Sequence, residues 1–346
     1  MSVAAKDPSV AKVPPASMKA KELLWELFTS DKESKSYSKL LDYMKGEDSV
    51  VEVDVPGCDP DLRHLKSTDL ARLLTLSILE WFSWLHSAGW SLNGEISSDD
   101  IFLAPLGHAK MKKGKMKLLK RCKVKRRAKD MNAVANVIQG GIFRSGDIPY
   151  DIQHLLWLLR HFRSYYANLL LNHSSLLNES ANLFLIRTIP QRLRQLSKLD
   201  PAKYRRIISK VPYCKMDQDH WKLRCQQNQY LMKILEPESP LSVQAQPTLA
   251  PPNGTQPPVA LQISSIGPDY DNNTSGLLKF LWDCYWNIID YSVGEVQEKK
   301  VVFPQLHQMF SVAFPQVICR CQKAMLMENE LSHCMPNGPS FRDILK

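Results

Sequence analysis

The clearest periodic signal runs from Thr68 to His86, TDLARLLTLSILEWFSWLH, where apolar residues recur on most faces of a helical turn. Thr68 is placed to cap and Asp69 to sit in the first turn. A helix that is apolar nearly all round belongs at the centre of a domain. Before it, KAKELLWELF from Lys19 and SYSKLLDYM predict helices, and the alternation VVEVDV (Val50 to Val55) followed by Pro56-Gly57 predicts a strand and turn. After it, IFLAP predicts a short strand. DMNAVANVIQGGIF predicts a buried helix ending at paired glycines.

Helical patterning continues through IPYDIQHLLWLLRHFRSYYANLLL and NESANLFLIRTIPQRLRQL, the latter broken at Pro190. DPAKYRRIISKV predicts a proline-started helix, and HWKLRCQQNQYLMKIL another. Residues 276–330 are apolar and helical in pattern. The expected fold class is mainly α, with a few strands before residue 110. Residues 1–20 are a flexible leader, and the seven prolines of 236–260 mark an insertion or linker.

Composition changes this picture little: 346 residues with 44% hydrophobic content supply one large or two ordinary cores. The most apolar run, Leu70 to Leu85, is too short for a membrane span and carries Arg72 and Glu80. No secretory signal is read, so cytoplasm or nucleus is expected. The eight cysteines are scattered without a CxxC pair, which predicts free thiols and no metal site or other cofactor.

Charge changes it more. The net charge of +10 is uneven: twelve cations and no acid lie between Lys110 and Lys129. These are Lys110, Lys112, Lys113, Lys115, Lys117, Lys120, Arg121, Lys123, Lys125, Arg126, Arg127 and Lys129. The remainder of the chain holds 33 basic against 35 acidic residues. Such density predicts an exposed, extended basic loop. It is either a solvated face, a signal read by a protein partner or import machinery, or a phosphate-contacting segment on RNA or DNA. Trp157, Tyr165, Tyr166 and the run Trp282 to Trp286 suit base stacking, but their helical spacing favours packing.

Candidate chemistry centres on NGEISSDDIF, Asn93 to Phe102, which follows LHSAG (Leu85 to Gly89). Glu95, Asp99 and Asp100 offer metal-binding carboxylates or, more simply, an acidic turn. This order resembles the C-terminal lobe of a protein kinase, where a buried helix ends in LHxxG and a loop H-G-D-L-K-P-x-N-I-L follows. The resemblance puts the kinase histidine at Asn93, the catalytic aspartate at Glu95, the phosphate-contacting lysine at Ser97 and the metal-binding asparagine at Asp100. It implies that Asp130 is the buried aspartate that orders the loop through backbone hydrogen bonds. No glycine-rich loop or strand lysine precedes the long helix, so the N-lobe is missing or reduced and phosphoryl transfer lacks its parts.

LLNHSSLLNESANLFLIRTIPQRL (Leu170 to Leu193) is similar to the segment joining kinase and nuclease domains in the unfolded-protein sensor kinase/endoribonuclease and 2-5A-dependent ribonuclease family. Its landmarks fall on Leu170, His173, Glu179, Leu183, Phe184, Leu185 and Arg192. TSGLLKFLWDCYWNIIDYS and HQMFSVAFPQVI resemble that family's helical nuclease domain. The resemblance covers residues 60–330. It implies a kinase-like lobe at 21–190, a nuclease-like helical domain at 191–330 carrying the 236–260 insertion, and a tail at 331–346.

Asn287 stands where the family's nuclease histidine falls, and asparagine cannot move protons at neutral pH. Tyr291 and His307 are the nearest substitutes. His173 and Asp130 read as structural. The expectation is a non-catalytic regulatory protein on a pseudokinase-like and nuclease-like scaffold, acting through a protein partner or self-association. The alternative is an RNA-binding protein or endoribonuclease that uses the basic segment and the C-terminal helices.

Overall fold

The computed structural model describes residues 27–30, 32–59, 64–104, 107–144, 147–211, 221–236, 270–291 and 303–335. The leader at 1–20, most of the helix expected from Lys19 and nearly all of the 236–260 insertion lie outside these residues; the last two residues of that expected helix, Leu27 and Phe28, form a turn and a β-bridge to Met111 instead. The chain divides into two units, Met1–Val53 with Leu65–Asn178, and Asp54–His64 with Glu179–Lys346. It is mainly helical with few strands, as the hydrophobic pattern predicts.

In the first unit β1 (Ser38–Lys39) leads into the short α1 (Leu40–Tyr43), and β2 (Val50–Glu52) pairs antiparallel with β3 (Leu65–Ser67). The long α2 (Asp69–Ser87) begins at Thr68, whose side chain accepts the Ala71 amide. Leu74, Ile78, Phe82 and Leu85 are almost wholly buried along it, as its all-round apolar pattern requires. Then come β4 (Trp90–Ser91), β5 (Ile101–Leu103), β6 (Ala109–Met111) and β7 (Lys120–Arg121). β5 lies between β1 and β6 in a three-stranded antiparallel sheet, while β4 pairs with β7. The 14-residue α3 (Val124–Val137) ends in a π turn, Ile138–Ile142, that carries the two glycines. α4 (Tyr150–Arg160) and the short α5 (Ala167–Leu171) complete the unit.

The second unit is built around α6 (Glu179–Leu199), which packs with α7 (Pro201–Ser209) and the C-terminal helices. Pro190 sits inside α6 without breaking it, contrary to the sequence expectation. Proline removes one amide donor, but Leu185, Ile186, Ile189, Leu193 and Leu196 are all buried on one face. Burial of that stripe outweighs the lost bond. The division drawn between 190 and 191 therefore falls inside one helix.

Asp200 caps α7 by accepting the Lys203 amide, ahead of the predicted N1 proline. The single helix expected at 220–235 is two, α8 (Trp221–Cys225) and α9 (Gln229–Leu235). Asn228 separates them because its side-chain oxygen caps α9 at Tyr230 and Leu231 while its amide donates to the Pro56 carbonyl. Then come α10 (Thr274–Tyr291), α11 (Phe303–Ala313) and α12 (Val317–Met327). Trp221 is fully buried in this unit's core, with Phe280 at 5.0 Å and Phe314 at 6.4 Å between ring centroids. Of the tail at 331–346, Leu331 and Cys334 are buried and residues 336–346 lie outside the described residues.

Every described cysteine is a free thiol, and Cys214 lies outside the described residues. Among the described residues no helix is long and apolar enough to cross a membrane.

Candidate functional site

Asp130 organises the loop that follows β4. It is fully buried in the middle of α3. One carboxylate oxygen accepts the Gly94 amide at 2.7 Å. The other accepts the Leu92 amide at 3.2 Å and meets His86 Nε2 at 2.9 Å. His86 sits one residue from the end of α2, so one acid ties helix, loop and helix together. Burial pulls the His86 pKa below its ordinary value, with the Asp130 contact opposing and the Arg127 charge adding to the fall.

The loop backbone needs its own sequence. Asn93 and Gly94 both adopt positive φ, 56° and 82°. Asparagine tolerates that conformation and glycine takes it freely. A Cβ on Gly94 would also stand 3.2 Å from the Lys129 carbonyl. Next, Ser97 and Asp100 close a capping box over the turn Ser98–Asp100. Lys115 reaches back to pair with Asp100 at 2.8 Å and to donate to the Glu95 carbonyl at 3.0 Å. Burial raises the Asp100 pKa, but the bonds from Lys115 and Ser97 outweigh it and hold the carboxyl below its usual value. Glu95 pairs with Lys120 at 3.3 Å, both side chains being nearly half exposed.

The acids at the resemblance's catalytic and metal positions are thus occupied. Asp99 is exposed, and among the described residues Glu95, Asp99 and Asp100 do not converge into a metal-sized cluster. The turn is held by its own cap and by the basic segment.

That segment is not the extended loop the charge pattern predicts. It forms β6, a 3-10 turn at Lys113–Leu118, β7 and the start of α3. Lys110 pairs with Glu33 at 3.2 Å. Arg121 lies over the Trp90 ring at 4.8 Å, and Arg126 donates to the Arg121 carbonyl at 2.9 Å. Ion pairs and a strand pairing with β4 offset the repulsion that favoured an open chain. Lys112, Lys117, Lys123, Lys125 and Lys129 are exposed, and Lys113 is half-buried.

A cleft of about 300 Å³ lies beside the loop, lined by Asn93, Gly94, Ile96, Lys129, Asn132, Ala133 and Asn136. It gathers three carboxamides and one ammonium without an acid. Asn132 and Asn136 were missed in the sequence. Their signal is the spacing 129, 132, 136, which puts three polar groups on one face of the helix.

His173 is fully buried, and its Nδ1 accepts the Ser175 amide at 3.2 Å and the Ser175 hydroxyl at 2.7 Å. Its proton therefore lies on Nε2, which donates to His154 Nδ1 at 2.9 Å. Burial pushes the His173 pKa well below the ordinary histidine value, and His154 adds to the fall. The residue braces the turn Ser174–Leu176.

In the second unit, Arg192 and Lys203 both grip the buried Glu330, at 2.8 and 2.7 Å. His307 lies on α11 with Nε2 3.4 Å from the Ser311 hydroxyl of the next turn. The side chains of Asn287 and Tyr291 lie outside the described residues. The aromatic expectation needs correction: Tyr166 is buried, but Trp157, Tyr165 and Trp286 are 41–50% exposed. Trp157 stacks on His161 at 4.6 Å, and Arg187 covers Trp286 at 5.3 Å.

No protein-family model matches the chain, and no curated protein sequence matches it.

Proposed function

We propose that this chain is a non-catalytic regulatory protein that acts through contacts, on a pseudokinase-like and nuclease-like scaffold. The observation that carries the reading is the commitment of the loop's acids. Asp130 is engaged by His86 and two amides and Asp100 by its cap and Lys115, while Glu95 keeps only a half-exposed pair with Lys120. Phosphoryl transfer requires a metal-binding acid and a base facing one nucleotide. The test uses the full chain with ATP and magnesium. Thermal denaturation unchanged by millimolar nucleotide, with no phosphate released or transferred, is expected. Nucleotide-dependent turnover would overturn the reading. Sedimentation at several protein concentrations then reports whether the contact partner is a second copy.

A second reading, polyanion binding, rests on a separate observation. Lys123, Lys125, Arg126 and Arg127 crowd the N-terminal end of α3, which has no acid in its first turn and no side-chain cap. Cations there oppose the helix dipole, and a phosphate backbone would relieve them. RNA binding would weaken steeply with salt and show little sequence preference. Replacing Lys117, Lys123 and Lys125 with glutamine would flatten the salt dependence. Binding insensitive to both salt and these changes rules this reading out.

A further inference from the structure

A second cavity of about 280 Å³ lies in the first unit between α2, α3 and α5. Its walls are Leu79, Met131, Phe162 and Leu170, each under a tenth exposed. Arg127 is the one permanently charged residue that lines it, and no acid does. The Arg127 Nε is buried and meets no hydrogen-bond acceptor among the described residues. Its guanidinium makes no ion pair among those residues either. Ser87, which also lines the cavity, is exposed, and Arg127 is half-buried, so this part of the lining is open to solvent.

A mainly apolar chamber with one unmet guanidinium in its lining has a defined complement. The body of the ligand must be mainly hydrocarbon, since Ser83, His86 and Ser87 are the only polar residues beside Arg127 among those that line it. Its head must accept from a planar fork of N–H donors and carry negative charge, as a carboxylate does. An apolar cavity of about 150 Å³ holds benzene. Scaling from that, 280 Å³ accommodates about eleven non-hydrogen atoms.

We propose that this cavity is a binding site for a medium-chain fatty-acid type monocarboxylate, its tail between Leu79, Met131 and Leu170 and its head on Arg127. His86, whose Nε2 meets Asp130, also lines the cavity. Occupancy would therefore bear on the network that holds the loop at Leu92 and Gly94.

The test is calorimetric titration of the full chain with decanoate below its micelle concentration, beside decanol, acetate and decanoate with Arg127→Gln. The expected result is saturable binding of decanoate near one equivalent. Affinity should fall roughly tenfold or more for decanol and for R127Q, with no measurable binding of acetate. Arg127→Lys, which keeps charge without the fork, is expected to fall between. Absence of decanoate binding to the unaltered chain overturns the proposal without reference to any variant. Equal binding of decanol, or binding of acetate as tight as decanoate, also overturns it. The first would mean apolar adsorption and the second a bare anion site.

Discussion

The Asp130 carboxylate accepts the Gly94 amide at 2.7 Å across 36 residues of chain. The glycine is needed twice over, by its φ of 82° and by the Lys129 carbonyl beneath it. Both residues are therefore predicted to be intolerant for different reasons. Asp130→Ala leaves two amides and His86 without their acceptor, and should destabilise by about 3 kcal/mol. Gly94→Ala should cost about 1–2 kcal/mol from backbone strain alone. Urea denaturation measures both, and a neutral Asp130→Ala would show that the loop finds its order elsewhere.

Lys115 and Lys120 look alike in sequence and differ in the fold. Lys115 is mostly buried against Asp100 and also holds the Glu95 carbonyl, whereas Lys120 and Glu95 are both nearly half exposed. Exposed pairs contribute little because water screens them. Lys120→Gln should change stability by less than about 0.5 kcal/mol, and Lys115→Gln should lower it by about 1–2 kcal/mol. Equal effects in a chemical-denaturation series would mean that the basic segment does not pack as described.

The contrast explains what could be read from the chain and what could not. The cap at Thr68, the buried face of α2 and the N1 proline of α7 are local signals, and they were legible. The path through Pro190 was not, because the stripe from Leu185 to Leu196 overrides a local penalty only once its partners are present. The break at Asn228 depends on the Pro56 carbonyl, 172 residues away in sequence. The folding of the basic segment depends on Glu33, Glu95 and Asp100, none of which neighbours it in sequence. The acidic loop could be located from its pattern. The cap of Asp100 on Ser97 is local, but the pairs of Asp100 with Lys115 and of Glu95 with Lys120 are not encoded by composition.

Glu330 carries a sharper prediction for the second unit. Its side chain is 5% exposed and receives both Arg192 and Lys203. Burial raises its pKa, but those two bonds outweigh it and hold it below the usual glutamate value. Glu330→Gln removes the charge while both cations remain, and should destabilise by roughly 2–3 kcal/mol. The loss should be smaller when Arg192→Gln is already present, since the two are coupled. Additive losses in the double-mutant cycle would show the pair to be independent.

His173 makes the stability of the first unit depend on pH in a direction the geometry fixes. Its Nδ1 accepts from Ser175 and its Nε2–H donates to His154, so a proton added at Nδ1 would break the turn's bracing bonds. Burial depresses the folded-state pKa well below the ordinary histidine value of about 6.5. The unfolded chain therefore takes up a proton first as pH falls, and the native state loses ground below about pH 6.5. The loss approaches about 1.4 kcal/mol per pH unit for this one group until its folded-state pKa is reached. His86 titrates in the same direction. The carboxylates with lowered pKa, Asp100 and Glu330, act only at more acidic pH. Urea unfolding between pH 7.5 and 5.5 should show the decline, and His173→Gln, though less stable at neutral pH, should show a shallower one. Equal slopes for the two proteins would place the titrating proton on another group.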